Sequence, residues 1–396
     1  MNLREQLAQG QASLVPAGEV RPGSSADLPY AVTDGTGEPV AVVSAFLRDL
    51  MLGDCWPATC RSYAHDLLRW LRLLATVGTG WERATRGEVA LLVAWMGNAP
   101  NPQRRRRDPR LCGTVNLRTG KPYLAARYAK TTINHALTVV RGFYAFHLHN
   151  GAGPLVNPVP DGSLRRVLLA HRSPLKPVPP VRRAALRQKI PARQPRSIPD
   201  DLWAELFAAM RCTRDRALLA CYVSSGARAG ELLALRAEDV GWQEMVLWVI
   251  RKGSDVLTAV PISPEAAVLL AAYLSEAGPP SPGTPVWRTG RGESRPLTYW
   301  AMRRVLQRAN AALGTNWSLH DIRHTTCARM SADPALTLPE IQAVMRHAQL
   351  STTQQYMTPR LEELIGKLQA HYQRPAPPPV PAPGYDPADL AAVFGG

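Results

Sequence analysis

A mainly α chain with one small β-hairpin, an α+β fold in two folded regions, is what this sequence predicts. Three observations carry that expectation. Apolar residues recur at helical spacing through most of the 396 residues. One pair of strand-like runs, "MVLWVI" and "VLTAVPI", is separated by "RKGSD", a turn composition. Between residues 162 and 196 the chain carries ten Lys or Arg, several prolines and no acid, as an extended linker would.

Residues 1–40 mix Gly, Pro, Ser and Asp with little periodicity and read as a flexible N-terminal arm. Residues 41–158 read as a small helical domain. "TCRSYAHDLLRWLRLLA" sets Tyr63, Leu67, Trp70, Leu71 and Leu74 on one stripe with arginines opposite. "EVALLVAWM" is a further apolar segment. "KTTINHALTVVRGFYAFHLHNG" repeats the spacing with Ile133, Leu137, Val140 and Tyr144 and stops at Gly151. The stretch "NPQRRRRDPR" between them reads as an exposed basic loop.

Residues 159–196 form the polybasic linker, either a solvated charge run or a strap that tracks phosphates. A second domain covers 197–372. It opens at "SIPDDLWAELFAAM", with Ser197 or Asp200 as helix cap. "DRALLACYVSSGARAGELLALRAEDV" reads as two short helices around a Gly turn, and the hairpin follows. Helices then resume at "PEAAVLLAAYLSEAG", "TYWAMRRVLQRANAALG", "SLHDIRHTTCARM" and "LPEIQAVMRHA". Residues 373–396 are a Pro-rich tail. It ends in a short helix with Asp386 as N-cap, Pro387 as first residue and Leu390, Val393 and Phe394 apolar.

Charge narrows the function. Lys plus Arg number 47 against 31 Asp plus Glu, a net +16, and the pI is about 10.1. Such an excess favours a polyanionic partner, nucleic acid or an anionic membrane surface. A composition rich in Ala, Arg, Pro and Gly would raise Arg by itself, but the uneven placement of the charge argues for the partner. No apolar run approaches a membrane span, and "MNLREQLAQGQ" is too polar for a signal peptide. The six cysteines form no CxxC pair, so neither a zinc site nor a secreted disulfide frame is favoured. Reduced thiols in a cytosol are the plain reading, without metal or cofactor.

Several polar residues have ordinary readings when taken singly. Arg228 sits in a glycine-bounded turn, Lys252 at a hairpin tip, and His320 and Arg323 on one helical face. His347 follows an amphipathic helix, and Tyr356 lies among Ser, Thr and Gln without apolar neighbours. Together they suit attack on a phosphodiester. A tyrosyl oxygen can be a covalent nucleophile. Arginine forks stabilise charge on non-bridging oxygens. Lysine can protonate a leaving oxygen, and histidines can hydrogen-bond the phosphate or handle the tyrosine proton.

In order and context, "SGARAGELLALR", "RKGSDVLTAVPI", "LHDIRHTTCARM" and "IQAVMRHAQLSTTQQYM" resemble the tyrosine recombinase (phage integrase) family over about residues 197–370. The segment from "KTTINHALTVV" to "NPV" resembles that family's helical core-binding (SAM-like) domain. The resemblance implies a core-binding domain and a mixed α/β catalytic domain closing as a C-shaped clamp on double-stranded DNA. It implies that Arg228 and Arg323 clamp the scissile phosphate, Lys252 protonates the leaving group, and His320 and His347 assist. Tyr356 would become the 3′-phosphotyrosyl link, with Glu231 orienting Arg228. Ala227, Arg346 and the pair Thr326–Cys327 depart from the family pattern, Arg346 standing where glycine is usual. None of these removes a reacting group. Arg346 is either one more cation beside the phosphate path or a solvated charge.

Arg303, Arg304 and Arg308 are groove or phosphate contacts on the same terms, with a solvated helix face as the alternative. The expected protein is a bacterial, cytoplasmic, nucleoid-associated recombinase that integrates or excises a mobile element. It would act as a homotetramer on a DNA synapse, without ATP or metal. The expectation leaves room for an accessory directionality factor and for residues 386–394 either docking on a neighbouring protomer or idling. Alternatives are a catalytically silent DNA-binding or architectural protein and a type IB-like topoisomerase.

Overall fold

The structure, a computed structural model, describes residues 1–102, 109–162, 184–191, 195–250, 256–278, 280–290, 292–347, 353–354, 361–374 and 387–394. The arginine run of the expected basic loop, most of the polybasic linker, Lys252, Tyr356 and Asp386 lie outside the described residues. The chain divides into two compact units. One is built from the described residues within Met1–Arg193, Arg251–Val256 and Met302–Trp317. The other draws on those within Gln194–Ile250, Leu257–Ala301 and Ser318–Gly396.

The first unit is helical around an aromatic core. Helix α1 (Leu3–Ala8) is closed by a capping box in which Asn2 and Glu5 satisfy each other's backbone. Strands β1 (Glu19–Ser25) and β2 (Leu28–Thr33) pair antiparallel, Val20 opposite Val32. Helices α2 (Ala41–Leu52), α3 (Pro57–Thr76), α4 (Arg86–Asn98) and α5 (Lys130–His149) follow. The predicted stripes point inward. Leu67, Trp70 and Leu74 of α3 are buried, as are Ile133, Leu137, Val140 and Tyr144 of α5. The Trp70 indole donates to the Tyr144 hydroxyl at 3.1 Å, which donates to the Trp81 carbonyl at 2.9 Å, so the polar ends of the largest core side chains are satisfied.

The expected flexible arm is not what residues 1–40 form. Leu7 and Val32 are fully buried and Leu28 nearly so. The segment is also tied down by polar contacts: the Trp95 indole donates to the Ala12 carbonyl at 3.2 Å and Arg72 Nε to the Ala17 carbonyl at 2.7 Å. Sequence reading missed this because one short helix and a hairpin irregular at Pro22–Ser25 carry too few apolar residues to display a period.

In the second unit, α6 (Asp200–Ala208) begins one residue away from expectation. Its N-cap is Pro199 and not Ser197 or Asp200, and Asp200 instead stands in the first turn, where a carboxylate favours the positive end of the helix. Next come α7 (Thr213–Ser225) and α8 (Ala229–Leu233), the two short helices expected around the Gly turn. Strands β3 (Val240–Gly241), β4 (Val246–Ile250) and β5 (Leu257–Pro261) form an antiparallel sheet in that order. The hairpin adds one short strand beyond the predicted pair. Leu247 opposite Val260 faces the core, while Trp248 opposite Ala259 faces outward.

Helix α9 (Pro264–Ala277) is capped by Ser263. Helix α10 (Tyr299–Leu313) starts in this unit and continues in the other. Helices α11 (Leu319–Ala332), α12 (Leu338–Met345), α13 (Leu361–Tyr372) and α14 (Pro387–Phe394) complete the described chain. Among the described residues no helix is long and apolar enough to cross a membrane.

The placement of residues 1–40 is testable. Leu7→Ala removes a fully buried side chain and is expected to lower the unfolding free energy by about 2–5 kcal/mol. Denaturant melts read this directly, and an unchanged midpoint would restore the flexible arm.

Candidate active site

Four chain segments meet in the second unit, and the sequence explains each junction. Helix α7 ends on Gly226, which takes φ 59°, ψ 14°. This left-handed cap favours glycine. A side chain there is excluded twice over, since a Cβ would meet Met345 Sδ at 2.7 Å. The turn delivers Arg228 as N-cap of α8. Glu231, three residues on, accepts from the Arg228 backbone N–H at 2.9 Å and from Arg228 Nη1 at 2.8 Å. Glu231 is thus both the capping carboxylate and the partner of the Arg228 side chain.

Helix α11 starts from Ser318, whose backbone N–H donates to Asp321 at 2.6 Å. Its buried face carries Arg323, 4% exposed. One Arg323 nitrogen donates to the Gly226 carbonyl and the other to the Met345 carbonyl. Both carbonyls terminate helices, where the backbone is partially negative and a cation is favoured. Helix α12 is seated by a small apolar cluster of Cys327, Ile341 and Met345 with Met330 beside it. Ile341 and Met345 thus anchor that helix.

The residue that ends α12 is Arg346, at φ 52°, ψ 44°. Its side chain is 3% exposed and donates to Glu231 Oε2 at 2.9 Å and to the Val344 carbonyl at 3.0 Å. His347 follows, outside the helix, with Nδ1 2.9 Å from the hydroxyl of fully buried Thr353. His320 stands exposed in the first turn of α11, its ring against His324 with centroids 4.1 Å apart.

Three guanidinium groups therefore surround one carboxylate. Burial pushes the Glu231 carboxyl up, but the hydrogen bonds from Arg228 and the charge of Arg346 outweigh it and hold the group below its usual value. Burial and the neighbouring charges of Arg228 and Arg346 lower Arg323 to about 10, which leaves it protonated at neutral pH. His347 is lowered to about 4, first by burial and then by Arg323, Arg228, Arg346 and His320. It is therefore a neutral imidazole at physiological pH, able to donate or accept without adding charge. Of the three arginines Arg228 is the most open, its side chain 35% exposed. Its fork is available to an anion arriving from solvent.

The structure thus brings Arg228, Glu231, Arg323, Arg346 and His347 into one network with His320 beside it. Lys252 and Tyr356 lie outside the described residues. Arg303, Arg304 and Arg308 are exposed on α10 and belong to the other unit. Of the two readings of Arg346, the solvated charge is corrected: its side chain is 3% exposed and donates to Glu231 inside the protein. Sequence reading missed the Gly226 and Met345 carbonyls and Thr353. Backbone acceptors leave no residue signature, and Thr353 is lost in a polar run. Among the described residues no group of three or more His, Cys, Asp or Glu is placed to hold a metal ion.

The neutral His347 gives a pH prediction. In an NMR titration its ring should protonate near pH 4, against an ordinary value of 6.5. The unfolded chain takes that proton at the higher pH. The histidine's contribution to stability is therefore complete above about 6.5 and is lost as the pH falls toward 4. A midpoint near 6.5 would contradict the arrangement.

Residues 198–363 match the model of the phage integrase family. Tyrosine recombinase XerC of Rhodospirillum centenum is 28% identical over 317 residues, covering 77% of this chain and 85% of the relative. Tyrosine recombinase XerA of Pyrococcus horikoshii is 29% identical over 185 residues, 45% of this chain and 63% of the relative. The chain thus spans somewhat under two thirds of XerA, and only about half of several other curated relatives it matches. Among solved structures, a lambda integrase dimer bound to a COC′ core site aligns with TM-score 0.54 and 15% identity, over 82% of this chain and 96% of that one. That likeness is one of fold. With the ordered motifs and the arginine cluster they assemble, residues 198–363 carry a phage integrase family domain, and the chain is similar to tyrosine recombinases.

Proposed function

We propose that the protein is a site-specific DNA recombinase that cuts and rejoins DNA through a covalent 3′-phosphotyrosyl intermediate at Tyr356. The observation that carries this reading is the pairing of Arg228 and Arg323. They come from segments far apart in sequence and are held in one buried network, with Arg228 opening to solvent. A phosphodiester is the anion such a pair suits, since guanidinium forks match its non-bridging oxygens. The strong positive charge fits duplex DNA as the bound polymer. The core-site DNA on the lambda integrase dimer supports the same substrate class.

The chemistry follows from the residue types. The Tyr356 oxygen attacks the scissile phosphorus and loses its proton while the bond to the 5′ oxygen breaks. Lys252 gives the departing 5′ oxygen a proton. Arg228 and Arg323 offset the charge that builds on the non-bridging oxygens. His347, neutral, hydrogen-bonds the phosphate or relays the tyrosine proton, with His320 assisting. The phosphotyrosine keeps the energy of the broken ester, so religation by a new 5′ hydroxyl needs neither ATP nor a metal ion.

Four protomers on a synapse would exchange strands pairwise, in the bacterial cytoplasm on nucleoid DNA, with an accessory directionality factor as a further partner. Integration or excision of a mobile element is the biological role we assign. Helix α14 would dock on a neighbouring protomer and couple assembly to cleavage.

A nicked suicide duplex tests the reading on a denaturing gel. Wild type should form a covalent protein–DNA adduct, Tyr356→Phe should form none, and Arg228→Ala should form it at least about 100-fold more slowly. Equal behaviour of wild type and Tyr356→Phe would leave a silent DNA-binding protein. Relaxation of plasmids lacking any specific site, without strand exchange, would make it a topoisomerase.

A further inference from the structure

Arg346 occupies a position for which its residue type is poorly suited. The backbone at φ 52°, ψ 44° is left-handed, where glycine sits without strain and an arginine does not. Its guanidinium is also taken out of water, at 3% side-chain exposure, and burying a cation is unfavourable unless a partner compensates. The buried charge is offset by Glu231 Oε2 at 2.9 Å, and the guanidinium also donates to the Val344 carbonyl at 3.0 Å.

Glu231 would hold Arg228 without this help. It already accepts from the Arg228 backbone on Oε2 and from the Arg228 side chain on Oε1. The second arginine does two further things. It adds a second donor on Oε2 from the end of α12, so the carboxylate is held by two chain segments and the guanidinium on Oε1 is fixed with it. It also changes the charge balance. A lone Arg228–Glu231 pair is nearly neutral and attracts an anion weakly. With Arg346 offsetting the carboxylate, the charge of Arg228 remains for the phosphate.

We infer that Arg346 is a positioning residue that works through Glu231, locking the carboxylate so that Arg228 is held in place with its charge uncompensated. This rests on the recombinase reading for its consequence in catalysis, but the bridge itself is a property of the folded protein. The surroundings of His347 report on it independently. That ring faces Arg323 and His320 from α11, Arg228 from the start of α8, and Arg346 itself, with Thr353 on Nδ1. Removing one of these cations should let the imidazole protonate at a higher pH.

The experiment is a double-mutant cycle with Arg346→Gly, Glu231→Gln and the two combined. Arg346→Lys serves as the conservative control. Adduct formation on the nicked duplex, thermal unfolding and the His347 NMR titration are read for each protein. Arg346→Gly should slow adduct formation by at least about tenfold, the size expected for partners in one ion-pair network. Arg346→Lys should recover part of that loss. The combined variant should be no slower than Glu231→Gln alone, and the His347 midpoint should rise in Arg346→Gly. The thermal midpoint of Arg346→Gly should not fall in step with its rate, because glycine relieves the backbone.

Adduct formation at the wild-type rate in Arg346→Gly would overturn the inference. So would losses that multiply in the combined variant. A wild type that forms no adduct would overturn the recombinase reading instead. The bridge would then be judged on coupling between the two substitutions in thermal unfolding and on the His347 midpoint. Additive unfolding with an unmoved midpoint would remove it as well.

Discussion

The guanidinium of Arg323, spanning the Gly226 and Met345 carbonyls, is the contact on which the rest of the site depends. One side chain on α11 ties the end of α7 to the end of α12. What lies just beyond those two ends makes up the candidate site: Arg228 and Glu231 after α7, Arg346 and His347 after α12. The contact needs a carbonyl at a left-handed glycine cap, a helix terminus pointing at it, and a buried arginine between them. Gly226 is fixed by the same demand, since a methyl group there would strike Met345. Neither acceptor carries a full charge, so Arg323 keeps its positive charge although both ends of its fork are used.

Charge balance is the second constraint. Buried arginines are unfavourable without partners, and buried carboxylates likewise. The site meets both with a single glutamate set between two arginines, Arg228 and Arg346, and a third arginine close by. The result is a network of paired charges that is positive overall. In such surroundings His347 cannot hold a proton at neutral pH, which makes it a hydrogen-bonding group and not another cation. Under the proposed function, a phosphate arriving at Arg228 would meet donors already held in place, the condition under which electrostatic stabilisation is most effective.

Much of this was legible in the sequence, for identifiable reasons. The helices of the first unit announce themselves through long apolar stripes, and Trp70 and Tyr144 lie in the core as their spacing requires. The hairpin was legible because its turn composition separates two short apolar runs. Arg228, Glu231, Arg323 and His347 were legible as a set because the order of the motifs resembles one family, and the structure gathers all four. Other features were not. Leu7 and Val32 belong to elements too short to show a period, so an ordered N-terminal segment read as an arm. Arg346 was ambiguous because residue type does not reveal that its side chain turns inward to a carboxylate 115 positions earlier in the chain. The backbone acceptors of Arg323 could not be read at all, since any residue supplies a carbonyl.

The central claim is that this arginine network is built around one phosphate. A crystal structure of the protein trapped on a nicked duplex, with the scissile phosphate resolved, tests it most directly. The account predicts non-bridging oxygens of that phosphate within hydrogen-bonding distance of Arg228 and Arg323, the Tyr356 oxygen bonded to the same phosphorus, and Arg346 still on Glu231. A scissile phosphate held away from Arg228 and Arg323, or joined to a residue other than Tyr356, would contradict it.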